Sequence, residues 1–438
     1  MPRRPHPPNN PEMSMSYQAT IDYLFGLQKH GIKFGLANSS LLMGLLGNPE
    51  RRFRAVHIAG TNGKGSTCAF LAEMLRAAGF RTGLYTSPHL VSFTERIRIN
   101  GSPISEACVV ELADRIRSKY AGLPSPDGSG PVSPTFFEVT TALAFAYFAE
   151  ETVDIAVIET GMGGRLDSTN VLTPLVSIIT NIDVEHTEFL GSTIEQIASE
   201  KAGIIKPGVP VVTGAAQEEA LAVIEREAGQ RKAPLYRMPR DFGSERVIPG
   251  ATQTFDYRGL AGNLEGLRIS LQGRHQVRNA GLALAAIECL RKAGLDVPEQ
   301  AVRLGLESTT WEGRLERVAR DPDIVLDGAH NPASAAVLAE ALGELRTRYR
   351  RVVMVLGILG DKDYRGMLRS LLPLADTVVV TRPAYGRAMN ADELVAAIGP
   401  FRGSVTASRS VEDALSLARG LAGPGDLILV TGSLYTVG

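Results

Sequence analysis

The stretch AVHIAGTNGKGSTC, residues 55–68, decides how the other parts of this 438-residue chain are interpreted. A short apolar run over 56–59 is followed by a glycine-rich loop, and a helical pattern then runs to Gly79. A strand, a glycine loop and a helix in this order let backbone N–H groups approach phosphate oxygens, and the helix N-terminus adds partial positive charge. Lys64 is placed to reach terminal phosphates, and the hydroxyl of Ser66 or Thr67 can approach phosphate or Mg²⁺.

This loop departs from the general phosphate-loop pattern at two positions. Ile58 stands where a first glycine is expected, and Gly65 stands where Ser or Thr follows the lysine. An ordinary glycine-rich turn between strand and helix is the alternative. The strand–loop–helix context favours ATP binding over that alternative.

Composition excludes several classes of protein. The net charge is −1 and 44% of the residues are hydrophobic, so we expect neither a nucleic-acid nor a membrane partner. The longest apolar runs, such as 142–149, fall far short of the ~20 residues of a membrane span. Three widely spaced cysteines fit a reducing cytoplasm without a disulfide framework. Residues 1–15 have no apolar core and predict a disordered tail rather than a secretory signal, or an upstream start with Met13 or Met15 as alternatives.

Strands alternate with helices along most of the chain, which predicts an α/β fold built from parallel βαβ units. We expect a doubly wound, mainly parallel phosphate-loop domain over 16–307, with a small antiparallel patch over 230–272. Within it, Glu95–Ile99 alternates and predicts a strand. A linker follows over 308–316, and a second, smaller Rossmann-like α/β domain occupies 317–438.

Ser87, Glu159 and His186 follow predicted strands of the first domain. Because ligands of open α/β sheets bind at the carboxyl ends of the strands, these side chains predict a Mg²⁺ site beside the glycine loop. The alternatives are an ion pair between Glu159 and Arg165, and a loop histidine hydrogen-bonded locally. Lys201 lies near a helix C-terminus. The helix dipole favours a cation there, so the sequence alone predicts a solvated lysine.

The pattern as a whole resembles the folylpolyglutamate synthase/dihydrofolate synthase family of the Mur ligase superfamily. The resemblance runs from about residue 25 to the C-terminus. The stretches that carry it are HIAGTNGKGST, TSPHL, IETGMGGRLDSTN, TNIDVEHTEFLG, SEKAGIIKPG, GRHQVRNA, VLDGAHN and VTGSLY.

The resemblance implies an ATP-dependent acid–amino-acid ligase of folate biosynthesis and one-carbon metabolism. Such an enzyme adds L-glutamate to dihydropteroate, to the γ-carboxylate of folates, or to both, through an acyl phosphate. It would be a cytoplasmic monomer that uses two Mg²⁺ ions. A cell-wall Mur ligase is one alternative, but we expect it to carry a sizeable domain before the loop, where 59 residues precede Gly60. A non-catalytic nucleotide-binding switch is another.

The resemblance also implies a role for each matching residue. Lys64, Lys201, His186 and His330 would be catalytic, and Lys201 would be carbamylated by CO₂. The ATP site would consist of Gly60, Thr61, Asn62, Gly63, Lys64, Gly65, Ser66, Thr67, Asn279, Arg314 and Asp327. Mg²⁺ would be held by Ser87, Glu159, His186 and Lys201. The pterin would be bordered by Phe34, Gly35, Leu36, Thr135, Phe136, Phe137 and Leu166, and the incoming glutamate would contact His330 and Ser433.

Overall fold

The computed structural model describes residues 15–31, 35–126, 128, 130–250 and 252–438. Phe34 and, except for Met15, the predicted tail over 1–15 lie outside these residues. The described residues form an eight-stranded, a three-stranded and a six-stranded sheet. Among the described helices, none combines the length and the apolar character that crossing a membrane requires.

The eight-stranded sheet has the order β4-β3-β2-β5-β1-β6-β7-β8, and only β3 and β4 run antiparallel to their neighbours. Residues 55–59 of its central strand are all buried, as expected for a parallel strand covered on both faces. The predicted doubly wound, mainly parallel sheet is therefore confirmed. Its strands are β1 Arg54–Ala59, β2 Thr82–Tyr85, β3 Ile97–Ile99, β4 Ser102–Pro103, β5 Ile155–Glu159, β6 Val176–Ile179, β7 Val211–Thr213 and β8 Leu235–Arg237.

Helices cover both faces of this sheet. One apolar core joins α3, α9 and α10 to one face, and a second joins α1, α2, α4 and α5 to the other. The helices are α1 Tyr17–Gly26, α2 Ala37–Leu45, α3 Lys64–Ala77, α4 Glu106–Tyr120, α5 Phe136–Glu150, α6 Thr187–Leu190, α7 Ile194–Ala202, α8 Glu218–Gln230, α9 Arg274–Lys292 and α10 Glu299–Ser308.

The predicted antiparallel patch is a three-stranded sheet of order β11-β10-β9. Its middle strand alternates buried and half-buried residues, so one face packs on the core of the first domain. The strands are β9 Gly243–Ile248, β10 Gln253–Arg258 and β11 Asn263–Ile269.

A second α/β domain contains the six-stranded sheet, of order β12-β13-β17-β14-β15-β16, in which only β12 is antiparallel. Apolar cores lie on both of its faces. The strands are β12 Glu316–Ala319, β13 Asp323–Leu326, β14 Val352–Leu356, β15 Thr377–Val380, β16 Ser404–Ala407 and β17 Leu427–Thr431. The helices are α11 Pro332–Leu345, α12 Tyr364–Leu371, α13 Ala391–Ile398, α14 Val411–Leu421 and α15 Leu434–Val437.

The two domains are joined between α10 and β12, and no helix or strand occupies 309–315. An ion pair between Arg274 of the first domain and Glu344 of the second, with Nε and Oε1 2.7 Å apart, links them directly. The domain boundaries, with a linker over 308–316, stay a prediction.

The strand predicted over Glu95–Ile99 is wrong in its first half, because Phe93–Arg96 is a short 3-10 helix and only β3 is extended. The reason is the Glu95 carboxylate, which accepts hydrogen bonds from the backbone N–H groups of residues 90, 91 and 92 at 2.8, 3.0 and 2.6 Å. Burial raises the pKa of Glu95, but these bonds outweigh it and leave the pKa below its ordinary value. The ionised side chain thus closes a turn before the strand begins.

Candidate active site

The glycine loop lies between β1 and α3 and is tightly packed. Gly60 has a φ of +149°, and a Cβ there would lie 1.9 Å from Thr180 Oγ1. Gly63 is left-handed, with a φ of +81°, and directly precedes the first residue of α3. Both positions need glycine, because an L side chain would clash or strain the backbone. The loop therefore presents its backbone to whatever lies at the helix N-terminus.

The end of β6 holds the loop in place. The backbone N–H of Thr61 donates to Asn181 O (3.0 Å), and that of Asn62 donates to Asn181 Oδ1 (2.8 Å). The Thr180 hydroxyl donates to Asn62 O at 2.6 Å. Thr180 and Asn181 were not predicted, although both lie in the TNIDVEHTEFLG stretch directly after a strand.

Lys64 begins α3, and its ammonium group is folded back onto the loop. Its Nζ donates to Gly60 O at 2.8 Å and to Thr61 O at 3.0 Å. Three residues further, Thr67 Oγ1 is buried and has no hydrogen-bond partner among the described residues. A buried hydroxyl without a partner is costly, which fits a ligand at this position. Gly65 faces Trp311, since a Cβ on Gly65 would lie 3.0 Å from the indole Nε1.

Glu159 is the last residue of β5, the strand beside β1, and its side chain is 5% exposed. Its Oε2 accepts a hydrogen bond from the Ser87 backbone N–H at 3.1 Å, so these two predicted metal ligands lie together. Burial raises the pKa of Glu159, and the nearby Lys64 charge opposes that rise. The alternative of an ion pair with Arg165 is wrong, because Arg165 pairs with Glu200, with Nη2 and Oε1 2.7 Å apart.

His186 follows β6 and precedes α6, with a φ of +47°. Burial lowers its pKa to about 4, and the charges of Lys362 and Lys64 act in the same direction, so the imidazole is neutral near pH 7. The strands β5, β1 and β6 are parallel neighbours, and Glu159, the glycine loop and His186 come at or after their carboxyl ends, so all three lie at one edge of the sheet.

Lys201, at the end of α7, is buried with 1% exposure. Its Nζ donates to Gly60 O at 2.9 Å and to Glu185 Oε1 at 2.8 Å. Burial lowers its pKa to about 8, although the Glu185 carboxylate acts in the opposite direction. The prediction of a solvated lysine, made from the sequence alone, is therefore wrong. Glu185 was not predicted, although it lies beside His186 in the TNIDVEHTEFLG stretch.

The donors at this edge suit a metal that binds few protein groups. Among the described residues, no group of three or more His, Cys, Asp and Glu side chains could hold a metal by itself. The carboxylates of Glu159 and Glu185, the imidazole of His186 and hydroxyl groups remain, and Mg²⁺ commonly binds one or two carboxylates together with phosphate oxygens and water. The residues present therefore fit Mg²⁺ when it is bound with a nucleotide.

An apolar wall lies beside Glu159. The ring of Phe136 stacks on Phe25, with centroids 5.4 Å apart and planes at 8°, and Phe137 packs against Gly161. Thr135 caps α5 through a capping box with Glu138. Asn38 Nδ2 donates to Glu138 Oε2 at 3.5 Å, which brings the segment containing the half-buried Gly35 and Leu36 close to this cap. Phe25 was not predicted.

The half-buried Leu166 belongs to a loop that Asp167 holds. Asp167 Oδ2 accepts from the backbone N–H groups of Gly161 and Met162 at 2.8 and 2.9 Å. Its Oδ1 accepts from the Thr169 hydroxyl. Burial raises the pKa of Asp167, and these bonds oppose the rise. The loop from Gly161 to Asp167 is thereby fixed directly behind Glu159.

Three residues predicted to contact ATP lie around the domain junction. Asn279 on α9 is adjacent to Gly63, where a Cβ would lie 2.5 Å from its Oδ1. Asp327 accepts from the backbone N–H groups of Leu315 and Ala329 at 3.0 and 2.9 Å. Burial raises the pKa of Asp327, and the charge of Arg314 opposes that rise. The same Arg314 charge also opposes the rise in the pKa of Glu159.

His330 and Ser433 both lie at carboxyl ends of strands of the second sheet. His330 Nδ1 bonds with Gly328 O at 2.9 Å, and burial lowers the histidine pKa to about 4, so Nδ1 carries the proton and Nε2 is left as an acceptor. Ser433 is buried, and its hydroxyl caps α15. Asn331, which caps α11, was not predicted; its Nδ2 donates to Asn62 Oδ1 at 3.0 Å across the domain junction.

This arrangement, a phosphate loop on a parallel sheet that is faced by a second α/β domain across the site, defines a ligase of the Mur type. Residues 58–287 match the Mur ligase middle domain, and residues 313–434 match the glutamate ligase domain of the Mur ligases. The chain belongs to the dihydrofolate synthase/folylpolyglutamate synthase family of these enzymes, as the following relatives establish.

The dihydrofolate synthase/folylpolyglutamate synthase of Bacillus subtilis is 40% identical over 97% of this chain and 98% of its own length. That of Escherichia coli is 33% identical over 98% and 95%. The Mycobacterium tuberculosis folylpolyglutamate synthase complexed with ADP and AMPPCP superimposes with a TM-score of 0.89 at 38% identity, covering 96% of this chain and 97% of that one.

These relatives confirm the resemblance and the predicted enzyme class, an ATP-dependent ligase. They favour a glutamate ligase of folate metabolism over both a cell-wall ligase and a non-catalytic switch. The roles assigned to individual residues stay predictions.

Proposed function

We propose that this chain joins L-glutamate both to dihydropteroate and to the γ-carboxylate of folates, at the expense of ATP. The observation that carries the proposal is that Lys64, Glu159 and His186 follow the carboxyl ends of three neighbouring parallel strands, beside the wall formed by Phe136 and Phe25. The double name of the Bacillus subtilis and Escherichia coli relatives supports two acceptors rather than one.

In the first step, a carboxylate oxygen of the acceptor attacks the γ-phosphorus of ATP, the bond to the bridging oxygen breaks, and ADP leaves with the electron pair. Both reactants are anionic, so Lys64 and the N–H groups of the glycine loop would offset the developing charge. Ser87, Glu159 and His186 would hold Mg²⁺, which neutralises phosphate charge and orients the phosphoryl group when bound.

In the second step, the neutral amine of glutamate attacks the acyl carbon, the bond from that carbon to the phosphate oxygen breaks, and phosphate leaves with the proton that the nitrogen gives up. His330, neutral and with Nε2 as an acceptor, would contact glutamate from the second domain, together with Ser433. The acyl phosphate must be kept from water, and the junction closed by Asn62 and Asn331 would serve that purpose.

Lys201 would carry a carbamate formed from CO₂. Its burial and its lowered pKa favour the neutral amine that reacts with CO₂. Such a carbamate would be an anion beside Glu185 and so would help to hold a second Mg²⁺. We also infer a cytoplasmic monomer, because both halves of the site come from one chain and the three cysteines are free.

Phosphate release from ATP tests the proposal, measured with dihydropteroate or tetrahydrofolate as acceptor, with and without glutamate. We expect glutamate-dependent release with both acceptors. Release with only one would reject the dual activity, and release with neither would reject the function. A UDP-sugar peptide as a third acceptor distinguishes a cell-wall ligase.

A further inference from the structure

Arg96 is a buried arginine, 6% exposed, at the end of the 3-10 helix Phe93–Arg96. Its Nε donates to His89 Nδ1 at 2.7 Å, and its guanidinium lies over the ring of Phe136, 5.2 Å from the centroid. Arg98, two residues further, pairs with Glu312 at 3.6 Å. Arg96, by contrast, has no carboxylate of a described residue within the 4.0 Å of an ion pair.

An unpaired buried cation needs an explanation, because charges taken out of water are normally paired. The contacts with Phe136 and His89 are favourable but add no negative charge. Since Nε is bonded to His89, the two Nη groups form the guanidinium edge that remains. That edge matches a carboxylate, which it can bind through two parallel hydrogen bonds.

The position of Arg96 connects the aromatic wall with the edge that bears the glycine loop. Its backbone oxygen accepts from the N–H of Thr86, the residue before Ser87, at 3.0 Å. The carboxylates of Glu159 and Glu95 act on the guanidinium from beyond ion-pair distance, and the neutral phenol of Tyr435, from the second domain, also lies near it. A ligand running along the wall formed by Phe136 and Phe25 toward Lys64 would therefore pass Arg96.

We propose that Arg96 binds the carboxylate of dihydropteroate, the group that ATP activates, through its Nη edge. This inference rests on the proposed function. Arg96 would hold the carboxylate in place while one of the two carboxylate oxygens forms the bond to the γ-phosphorus. His89, which fixes Nε, acts as a positioning residue.

Calorimetric titration tests this assignment, with a non-hydrolysable ATP analogue present. The two ligands are dihydropteroate and the same molecule with a hydrogen in place of the carboxylate. We expect the unchanged chain to prefer dihydropteroate by roughly 10- to 100-fold, the range for hydrogen bonds to a charged group. Arg96→Gln should bind both ligands with about equal Kd, and binding of the ATP analogue should not change.

Arg117→Gln is the matched control, because Arg117 also lies over an aromatic ring, 5.0 Å from the Tyr23 centroid, but on the surface of α4. It should keep the full preference. Equal weakening of both ligands by Arg96→Gln, or an undiminished preference, would overturn the role of Arg96.

The unchanged chain provides a second test that does not depend on how Arg96→Gln folds. If it binds both ligands equally, the inference fails even where the ligase reaction proceeds. If it binds neither ligand, the proposed function fails as well, so the two failures can be told apart.

Discussion

At the scale of single residues, Lys64 and Lys201 donate to the same backbone oxygen, that of Gly60. Two ammonium groups that share one acceptor repel each other, and the carboxylate of Glu185 pairs with only one of them, Lys201. A polyphosphate at the loop would draw Lys64 away from Gly60, and conversion of Lys201 into a carbamate would turn repulsion into attraction. The two lysines are thus expected to change partners when a polyphosphate binds and Lys201 is carbamylated.

Replacing Lys64 with alanine should reduce glutamate-dependent phosphate release by at least about 100-fold. The reason is the loss of the ammonium charge that is positioned to stabilise the transferred phosphoryl group. The fold should persist, since the hydrogen bonds that the Lys64 side chain makes among the described residues go to two carbonyls of its own loop. Phosphate release and thermal unfolding measure the two effects. Lys119→Ala, on the exposed surface of α4, is the control and should leave both unchanged. Full activity of Lys64→Ala would refute the assigned role.

Carbamylation of Lys201 should increase with pH. The pKa of Lys201 lies at about 8, below its ordinary value, so the fraction of Lys201 present as the neutral amine increases as the pH rises through 8. Between pH 8 and the ordinary lysine pKa the unfolded chain binds more protons, so the free energy of unfolding should also rise with pH in that window.

A ¹³C NMR signal from labelled bicarbonate measures the carbamate, and it should strengthen from pH 7 to 9. Lys201→Arg should abolish the signal. Lys206→Arg should keep it, because Lys206, another lysine whose pKa is lowered by burial, donates to Asn170 O and lies outside the site. A signal that survives in Lys201→Arg would show that another amine reacts.

At the scale of elements, the turn between β1 and α3 depends on its backbone shape. Gly63→Ala should lower the free energy of unfolding by about 1–2 kcal/mol, the cost of a left-handed conformation for an L residue. It should also weaken ATP binding, because the new methyl group would lie 2.5 Å from Asn279 Oδ1. Titration calorimetry and chemical denaturation measure the two effects.

Gly79→Ala, at the other end of α3, is the matched control. Gly79 has a φ of +91°, and no atom lies within 4 Å of the added methyl position. It should therefore lose similar stability and keep the affinity for ATP. Equal affinities of the two variants for ATP would mean that the contact with Asn279 does not matter.

How far the elements could be predicted from sequence depends on the range of the contacts that form them. Local apolar patterns and turn residues predict the glycine loop, β5 with Glu159, and α3. The structure confirms all three. The 3-10 helix before β3 was missed because a side chain, Glu95, outweighs the alternating pattern. Burial of Lys201 depends on how α7 packs against a loop 141 residues away along the chain, which no local pattern contains.

The aromatic wall illustrates the same limit. Phe136 was predicted to border the pterin through the family resemblance, whereas Phe25 and Arg96 meet it only after folding. The carboxyl-end rule brought Ser87 and Glu159 together correctly, because parallel strands necessarily end at one edge.

At the scale of the whole molecule, the two domains meet through Asn331 and Asn62 at the glycine loop. Asn331→Ala should raise the KM for ATP severalfold, because the loop loses its contact with the second domain. It should also cost about 1 kcal/mol of stability through the lost helix cap. Steady-state kinetics and denaturation measure the two effects.

Asn390→Ala separates the two contributions. Asn390 caps α13 with a bond to the N–H of Asp392 at 2.8 Å, and it lies within the second domain. It should lose the same stability without a change in KM. An unchanged KM in Asn331→Ala would indicate that the domain contact does not affect the nucleotide.

The packing of Trp311 on Gly65 has a practical consequence. Trp311 is the single tryptophan of the chain, and it lies where α3 begins, beside the residue that follows Lys64. Its emission is therefore a built-in optical reporter. Nucleotide arrival and domain closure can be followed in real time by stopped-flow fluorescence, without attaching any dye.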